Sequence, residues 1–204
     1  IPLFVAYYRR SLPRFLQVEK WLKAKEIGEV RHIHWNFSKP ASAIDISGAY
    51  NWRTDIKVAP GGYFDDLASH GLDLFAYLLG DFKEVYGLCT NQQGLYTAQD
   101  AITSCWLHKN GITGSGNWNF GSKEREDKVE IIGEKGKILF SIFKEEEVIL
   151  ENEQGLQKLF IENPKHVQQY HVENLKAALL EGKKHPSTGE TALHTSWVMS
   201  AILK

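Results

Sequence analysis

The feature that most constrains the fold is a series of short β-branched and aromatic segments between residues 84 and 161, separated by turn signals. Asn110-Gly111 is the clearest turn, since Asn-Gly favours the two-residue turn of a β-hairpin. Strands that are joined by hairpin turns run antiparallel, and this half of the chain therefore predicts an antiparallel meander. The predicted strands are 84–90, 101–109, 112–120, 128–132, 137–143, 148–151 and 156–161.

Helical segments precede and follow this meander. Ser11 is predicted to cap a first helix that has Pro13 in its first turn and ends at Gly28. Three further elements are predicted outside the meander: a strand at 29–37 and closing helices at 167–180 and 186–203. This order predicts one α+β domain over residues 1–204, with an open, mostly antiparallel sheet that helices cover on one face.

Such a sheet leaves a second broad face open. We expect Trp106, Trp118 and Phe120 on that face, where they would form an interface between copies of the chain. The closing helices are expected to turn residues with core-like spacing inward, namely Tyr170, Asn174, Leu175, Ala178, Leu179, Leu193, Trp197, Val198 and Ile202.

The stretch from Pro60 to Gly80 predicts a helix of about four turns. Its buried stripe is predicted to consist of Leu67, Gly71, Leu74, Phe75 and Leu78. Asp66, His70 and Asp73 fall at i, i+4 and i+7 and therefore share a neighbouring face. A carboxylate one turn before a histidine can orient the imidazole, fix its tautomer and favour its protonated form, as proton transfer requires.

Two other interpretations of this face stay open. An Asp and a His at helical spacing commonly form a solvated pair, and a metal-dependent hydrolase or isomerase could use Asp66, His70 and Asp73 as ligands. No third ligand follows at a recognisable zinc spacing, and we therefore predict no metal site. Gly61-Gly62 favours a functional site, because glycines let a backbone or a ligand approach closely.

Two more segments carry candidate binding residues. The consecutive Arg9 and Arg10 follow tyrosines and could clamp phosphate or sugar hydroxyls, or could be ordinary surface charge. The irregular segment 39–60 contains Trp52 and Arg53. An aromatic ring beside an arginine suits a nicotinamide, a sugar face or a pyrophosphate, although Trp52 could also pin the loop to the core.

These segments together resemble one protein family. The pattern Gly-Gly-x-x-x-Asp-x-x-x-His-x-x-Asp at 61–73 resembles the signature of the glucose-fructose oxidoreductase / inositol dehydrogenase / MocA (Gfo/Idh/MocA) family of NAD(P)-dependent oxidoreductases. Ala6-Tyr7-Tyr8-Arg9-Arg10 resembles the segment that follows the family's nucleotide-binding domain, and Trp52-Arg53-Thr54-Asp55 resembles its Trp-Arg element. The similarity covers essentially the whole chain and maps onto the family's C-terminal domain only.

The resemblance implies hydride transfer between nicotinamide and a sugar, cyclitol or related polyol. His70 would move the proton of the substrate hydroxyl, and Asp66 would orient and polarise His70. The implied substrate-binding residues are Tyr8, Arg10, Trp52, Arg53 and Asp73, and the implied cofactor-binding residues are Arg9, Trp52 and Arg53. It also implies a homo-dimer or homo-tetramer through the open sheet face.

The family's Rossmann domain has no counterpart in this sequence. Gly114-Ser115-Gly116 lies in a predicted strand and opens no helix, so it is not a dinucleotide fingerprint. We therefore expect that NAD or NADP is bound mainly by a missing N-terminal domain, and that this chain alone neither binds it tightly nor turns over. Ile1 in place of an initiator methionine is consistent with a fragment or a processed chain.

Charge and cysteine content indicate which partners and which compartment to expect. The net charge is −1 with mixed signs, which indicates neither nucleic acid nor an anionic membrane as partner. We expect a cytoplasmic protein in which Cys89 and Cys105 are reduced thiols, with a disulfide between them left open. A non-catalytic ligand-binding or dimerisation module, in which Asp66 and His70 are idle, is the alternative function.

Overall fold

The computed structural model describes residues 1–204. Its α-helices are α1 (Pro13–Lys23), α2 (Ala43–Ile46), α3 (Tyr63–Leu79), α4 (Gln169–Glu181) and α5 (Gly189–Ile202). Its strands are β1 (Val30–Ser38), β2 (Phe82–Thr90), β3 (Ala101–His108), β4 (Thr113–Asn119), β5 (Glu126–Gly133), β6 (Gly136–Phe140), β7 (Val148–Asn152) and β8 (Gly155–Leu159). Two 3-10 turns, Tyr8–Ser11 and Trp52–Thr54, precede α1 and α3.

The strands form one open eight-stranded sheet in the order β2-β3-β4-β1-β5-β6-β7-β8. Every neighbouring pair is antiparallel except β1 and β4, which run parallel. The predicted α+β fold with an open, mostly antiparallel sheet is thus confirmed. The parallel pair arises because the first strand enters between the two halves of the meander.

Helix α3 packs tightly on the centre of this sheet. A Cβ atom at Gly71 would lie 2.4 Å from the Trp35 ring, so only glycine lets the helix approach β1 this closely. Phe75 meets Trp35 edge to face at 5.6 Å between ring centroids, and Phe64 meets Trp118 at 4.9 Å. Aromatic contacts therefore hold α3, and the residues on it, against the sheet.

The predicted position of three large aromatic residues is wrong. Trp106, Trp118 and Phe120 are buried on the helix-covered side of the sheet and belong to the core. The rings of Trp106 and Trp118 lie over Gly114 and Gly116 of β4, where a Cβ atom would come within 2.1 Å and 2.5 Å of them. The two glycines of this strand therefore make room for indole rings.

The open face is mainly polar as a result. It carries His32, His34, Thr103, Ser115, Asn117 and Lys128, together with the exposed apolar residues Tyr86, Leu88 and Ile132. Cys89 and Cys105 are free. No helix of the protein is both long and apolar enough to cross a membrane.

Several predicted element boundaries also differ. Leu12, not Ser11, is the N-cap of α1, and the helix ends five residues before Gly28 because Lys25 takes a positive φ of 55°. The short helix α2 inside segment 39–60 was not expected. The inward positions predicted for the closing helices are only partly correct. Leu179, Leu193 and Trp197 are exposed, Val198 and Ile202 are buried, and the remaining predicted residues are half-buried, namely Tyr170, Asn174, Leu175 and Ala178.

Candidate functional site

His70 lies on α3 inside an aromatic pocket. Its ring centroid is 5.8 Å from those of both Tyr7 and Tyr8, which belong to the segment that enters the first 3-10 turn. Phe143, from the loop after β6, lies at 6.5 Å on another side. Two segments that are distant from α3 in sequence thus enclose one imidazole.

The two nitrogens of His70 have different surroundings. Nδ1 is buried without a hydrogen-bond partner, whereas Nε2 makes no hydrogen bond and retains exposed surface. The pKa of His70 is lowered to about 4: burial contributes most, the positive charge of Arg9 acts in the same direction, and Asp66 opposes both with a smaller effect. His70 is therefore neutral at pH 7: Asp66 favours the protonated form, as expected, but its effect is smaller than the combined effect of burial and Arg9.

Asp66 faces an arginine instead of His70. Arg53 Nε donates to Asp66 Oδ2 at 3.3 Å, and both side chains are close to half exposed. The guanidinium of Arg53 also stacks on the Trp52 ring, with Cζ 4.4 Å from the ring centroid. The second 3-10 turn thus places an exposed indole and a cation one helical turn from His70.

The glycine pair before α3 is needed for the conformation and close packing of the backbone there. Gly62 has a φ of 60°, and a Cβ atom there would lie 2.8 Å from the carbonyl oxygen of Gln99. Gly61 N donates to Asp65 Oδ2 at 2.9 Å. The close approach expected at Gly61-Gly62 is therefore made by the protein's own loop and side chain.

Arg10 and Asp73 bind each other. Arg10 Nε and Nη2 donate to the two carboxylate oxygens of Asp73 at 2.7 Å, and the two residues are 5% and 0% exposed. Thr195 Oγ1 on α5 donates to the same carboxylate at 3.1 Å. The structure thus places both residues in a buried ion pair, and the substrate-binding role expected of them stays a prediction.

Arg9 is also buried, with 5% of its surface exposed. Its Nε donates to the carbonyl oxygen of Ile142 at 3.1 Å, and its guanidinium lies between the rings of Tyr8 and Phe143. This position differs from that expected of a cofactor clamp, because the guanidinium does not reach the surface. Of the predicted residues, Tyr8 contacts His70, and Arg53 contacts both Trp52 and Asp66 one helical turn earlier on α3.

Three residues near the site are not evident from the sequence. Tyr7 and Phe143 contact His70, and Lys39 lies with Nζ 3.6 Å from the centroid of the Tyr63 ring at the start of α3. Burial lowers the pKa of Lys39, and the Asp45 and Asp66 carboxylates oppose that change. Phe143 and Lys39 come from loops after strands, where no periodic pattern marks a side chain's direction.

The described residues contain no group of three His, Cys, Asp or Glu side chains placed to hold a metal ion. What the site offers is a neutral imidazole that opens to solvent through Nε2, a carboxylate, an arginine and the exposed face of Trp52. Such a combination can bind a polar ring-shaped ligand and accept a proton from it.

The open sheet and the helix that carries His70 define a domain of the Gfo/Idh/MocA type. Residues 15–139 match the family model described as the GFO/IDH/MocA C-terminal domain, and the chain belongs to the Gfo/Idh/MocA family. Among curated proteins it is 31% identical over 205 residues to Oxidoreductase P35 of Formosa agariphila, covering 99% of this chain and 62% of that protein. The chain thus spans about three fifths of that relative.

Solved structures share the fold. An oxidoreductase from Thermotoga maritima superposes with a TM-score of 0.81 at 20% identity, covering 98% of this chain and 59% of that one. Levoglucosan dehydrogenase in complex with NADH and levoglucosan superposes with a TM-score of 0.80 at 18% identity, covering 100% of this chain and 63% of that one.

Proposed function

We propose that this chain is the substrate-binding and catalytic domain of an NAD(P)-dependent oxidoreductase that acts on a CH–OH group of a sugar, cyclitol or related polyol. Family membership and a relative crystallised with NADH and levoglucosan support the class of reaction. The observation that carries the proposal is His70, whose Nε2 reaches solvent while the rest of the ring is enclosed.

In this proposal His70 accepts the proton of the substrate hydroxyl on Nε2. The lowered pKa keeps the imidazole neutral at pH 7, so the lone pair that a proton acceptor needs is present before substrate arrives. Tyr8 packs against the ring from the side, and Asp66, one helical turn before His70, favours the imidazolium once it forms. In the reverse direction the same nitrogen returns the proton.

The residues beside His70 fit a nicotinamide. Trp52 is 50% exposed and carries the guanidinium of Arg53 on one face, which leaves an aromatic surface and a cation available to a flat, polar ring. A bound nicotinamide supplies the hydride chemistry, and this chain supplies orientation and proton handling. We propose that NAD or NADP is held mainly by a nucleotide-binding domain outside residues 1–204, and that these residues alone do not turn over.

We further propose a cytoplasmic homo-oligomer, a dimer or a tetramer, that associates through the open sheet face. Support comes from the exposed Tyr86 and Leu88 on β2, at the edge of the sheet. Edge strands with exposed apolar side chains tend to associate.

The test is reduced-nicotinamide absorbance with the full-length gene product against a panel of sugars and inositols, comparing wild type with His70→Ala. We expect the substitution to lower kcat/KM by about 10²–10⁴-fold, as the loss of a general base does. His166→Ala is the matched control, because His166 is an exposed histidine outside the site.

Equal loss in both variants, or unchanged activity in His70→Ala, would contradict the proposal. Circular dichroism and the unfolding midpoint of each variant show whether folding is retained. A folded wild-type protein without activity on any member of the panel would instead favour a non-catalytic module.

A further inference from the structure

Arg9 and Arg10 are adjacent in the chain, but only Arg10 has a carboxylate partner. Arg10 is neutralised by the bidentate contact with Asp73. Arg9 has no carboxylate partner: its Nε bonds to a backbone carbonyl, and its Nη1 is buried without any acceptor. An arginine stays charged at neutral pH, so Arg9 carries a positive charge inside the protein that no carboxylate contacts directly, and Asp127 and Asp73 act on it only from a longer distance.

This charge shares its aromatic walls with His70. Arg9 Cζ lies 4.9 Å from the centroid of the Tyr8 ring and 4.7 Å from that of Phe143. The imidazole of His70 contacts the same two rings, at 5.8 Å and 6.5 Å. Charge interactions are strong here, because the surrounding rings exclude water and lower the local dielectric constant.

We propose that Arg9 is a positioning residue that adds to burial in disfavouring the protonated imidazole of His70, and so extends to lower pH the range in which Nε2 can accept a proton from the substrate. This inference rests on the proposed function and deepens it. Arg9 does not touch a substrate in this arrangement. It acts through His70, whose protonated form it repels.

The other groups that face His70 do not supply this effect. Tyr7 and Tyr8 are uncharged at neutral pH, and Phe143 carries no titratable group. Asp66 favours the protonated imidazole and therefore opposes Arg9. Arg9 is thus the one charged neighbour that disfavours protonation, in addition to burial itself.

The test is an NMR titration of the histidine ring nitrogens in the 204-residue chain and in two variants. Wild-type His70 is expected to titrate well below the ordinary value near 6.5. Arg9→Gln removes the charge and is expected to raise the pKa of His70 by about one pH unit. Arg9→Lys keeps a cation and is expected to restore most of the wild-type value.

Arg14→Gln is the matched control. Arg14 is 2% exposed and its guanidinium bonds to the carbonyl oxygens of Ser141 and Ile142, so it holds the same loop as Arg9. The buried His171 on α4 is an internal reference whose titration should stay the same. A rise of the His70 pKa in Arg14→Gln equal to that in Arg9→Gln would assign the effect to loop loosening and overturn the proposal.

Two further outcomes would overturn it. One is a wild-type His70 that titrates at or above its ordinary value, which needs no variant. The other is an unchanged His70 pKa in a folded Arg9→Gln protein. Neither depends on turnover: unchanged activity in His70→Ala removes the proposed function, whereas an unchanged titration removes only the role of Arg9.

Discussion

Arg10 and Asp73 lie 63 positions apart in the chain, and their ion pair joins the first 3-10 turn to α3 inside the protein. Replacing Asp73 by Asn leaves a buried guanidinium without its counter-charge. Removing one partner of a buried pair costs about 3–5 kcal/mol, and we expect the free energy of unfolding to fall by that amount. Urea denaturation at pH 7 measures it.

Asp81→Asn is the control for this prediction. Asp81 pairs with Lys109 at 2.8 Å, but both side chains are more than half exposed. Exposed pairs contribute at most about 1 kcal/mol. Similar losses in the two variants would contradict the structural role of the buried pair.

His70 also couples stability to pH. Its folded-state pKa of about 4 lies below the ordinary 6.5, so the unfolded chain binds a proton in that interval that the folded chain does not. Stability should therefore fall as the pH drops from about 6.5 to about 4, by up to about 1.4 kcal/mol per pH unit from this residue. The contribution of His70 to this loss of stability is the difference between the loss measured for wild type and the loss measured for His70→Asn.

Unfolding midpoints at pH 7.5 and pH 5 measure that difference. Burial also lowers the pKa of His32, His108, His171 and His194. These residues are present in both proteins, so their contributions cancel in the comparison. If wild type and His70→Asn lose the same stability on acidification, the low pKa of His70 is refuted.

The helical spacing of Asp66 and His70 made their shared face predictable from the sequence, because a helix fixes which residues are neighbours. The partners of these side chains were not predictable. Arg53 reaches Asp66 from a 3-10 turn, and Phe143 reaches His70 from a loop 73 residues further along the chain. Such contacts depend on tertiary packing, which no local pattern encodes.

At the scale of elements, the packing of α3 on β1 depends on Gly71. Alanine would gain about 1 kcal/mol in helix propensity, but its methyl group would lie 2.4 Å from the Trp35 ring. Overpacking of a core costs about 1–3 kcal/mol, and we expect Gly71→Ala to destabilise the protein on balance. The thermal unfolding midpoint measures this, with the half-buried Ser69→Ala in the same helix as the control.

A higher midpoint in Gly71→Ala would show that α3 can move away from the sheet without loss. The expected result would also explain why the helix, and His70 with it, keeps one position. Rigid elements hold a functional group more accurately than loops do.

The strands and hairpins were the most predictable elements, because turn residues and alternating side chains are local signals. Asn110-Gly111 does join β3 and β4. The insertion of β1 between β4 and β5 was not predictable, since it pairs residues that lie about 80 to 100 positions apart, such as His34 with Ser115 and Glu130.

At the scale of the whole molecule, the alternation of apolar and polar residues along the strands showed that the sheet has two different faces. It did not show which face the helices cover. Trp106, Trp118 and Phe120 belong to the core under α3 and its neighbours. The face that stays open is therefore more polar than the prediction, which placed these three aromatic side chains on it. Because successive side chains of a strand point to opposite faces, an error of one residue in the assignment moves every side chain of that strand to the wrong face.

The proposed oligomer can be tested on this corrected face. Tyr86 and Leu88 lie opposite Cys105 and Thr103 on its open side and are 64% and 78% exposed. A lysine in place of Leu88 would bring like charges together across a symmetric interface, and we expect the dissociation constant to rise by at least about tenfold. Sedimentation velocity measures it, with Leu180→Lys on α4 as the control, because Leu180 is 73% exposed on a helix away from the sheet edge. Dissociation by Leu180→Lys alone would place the interface on α4, and a monomeric wild type would contradict the proposed assembly.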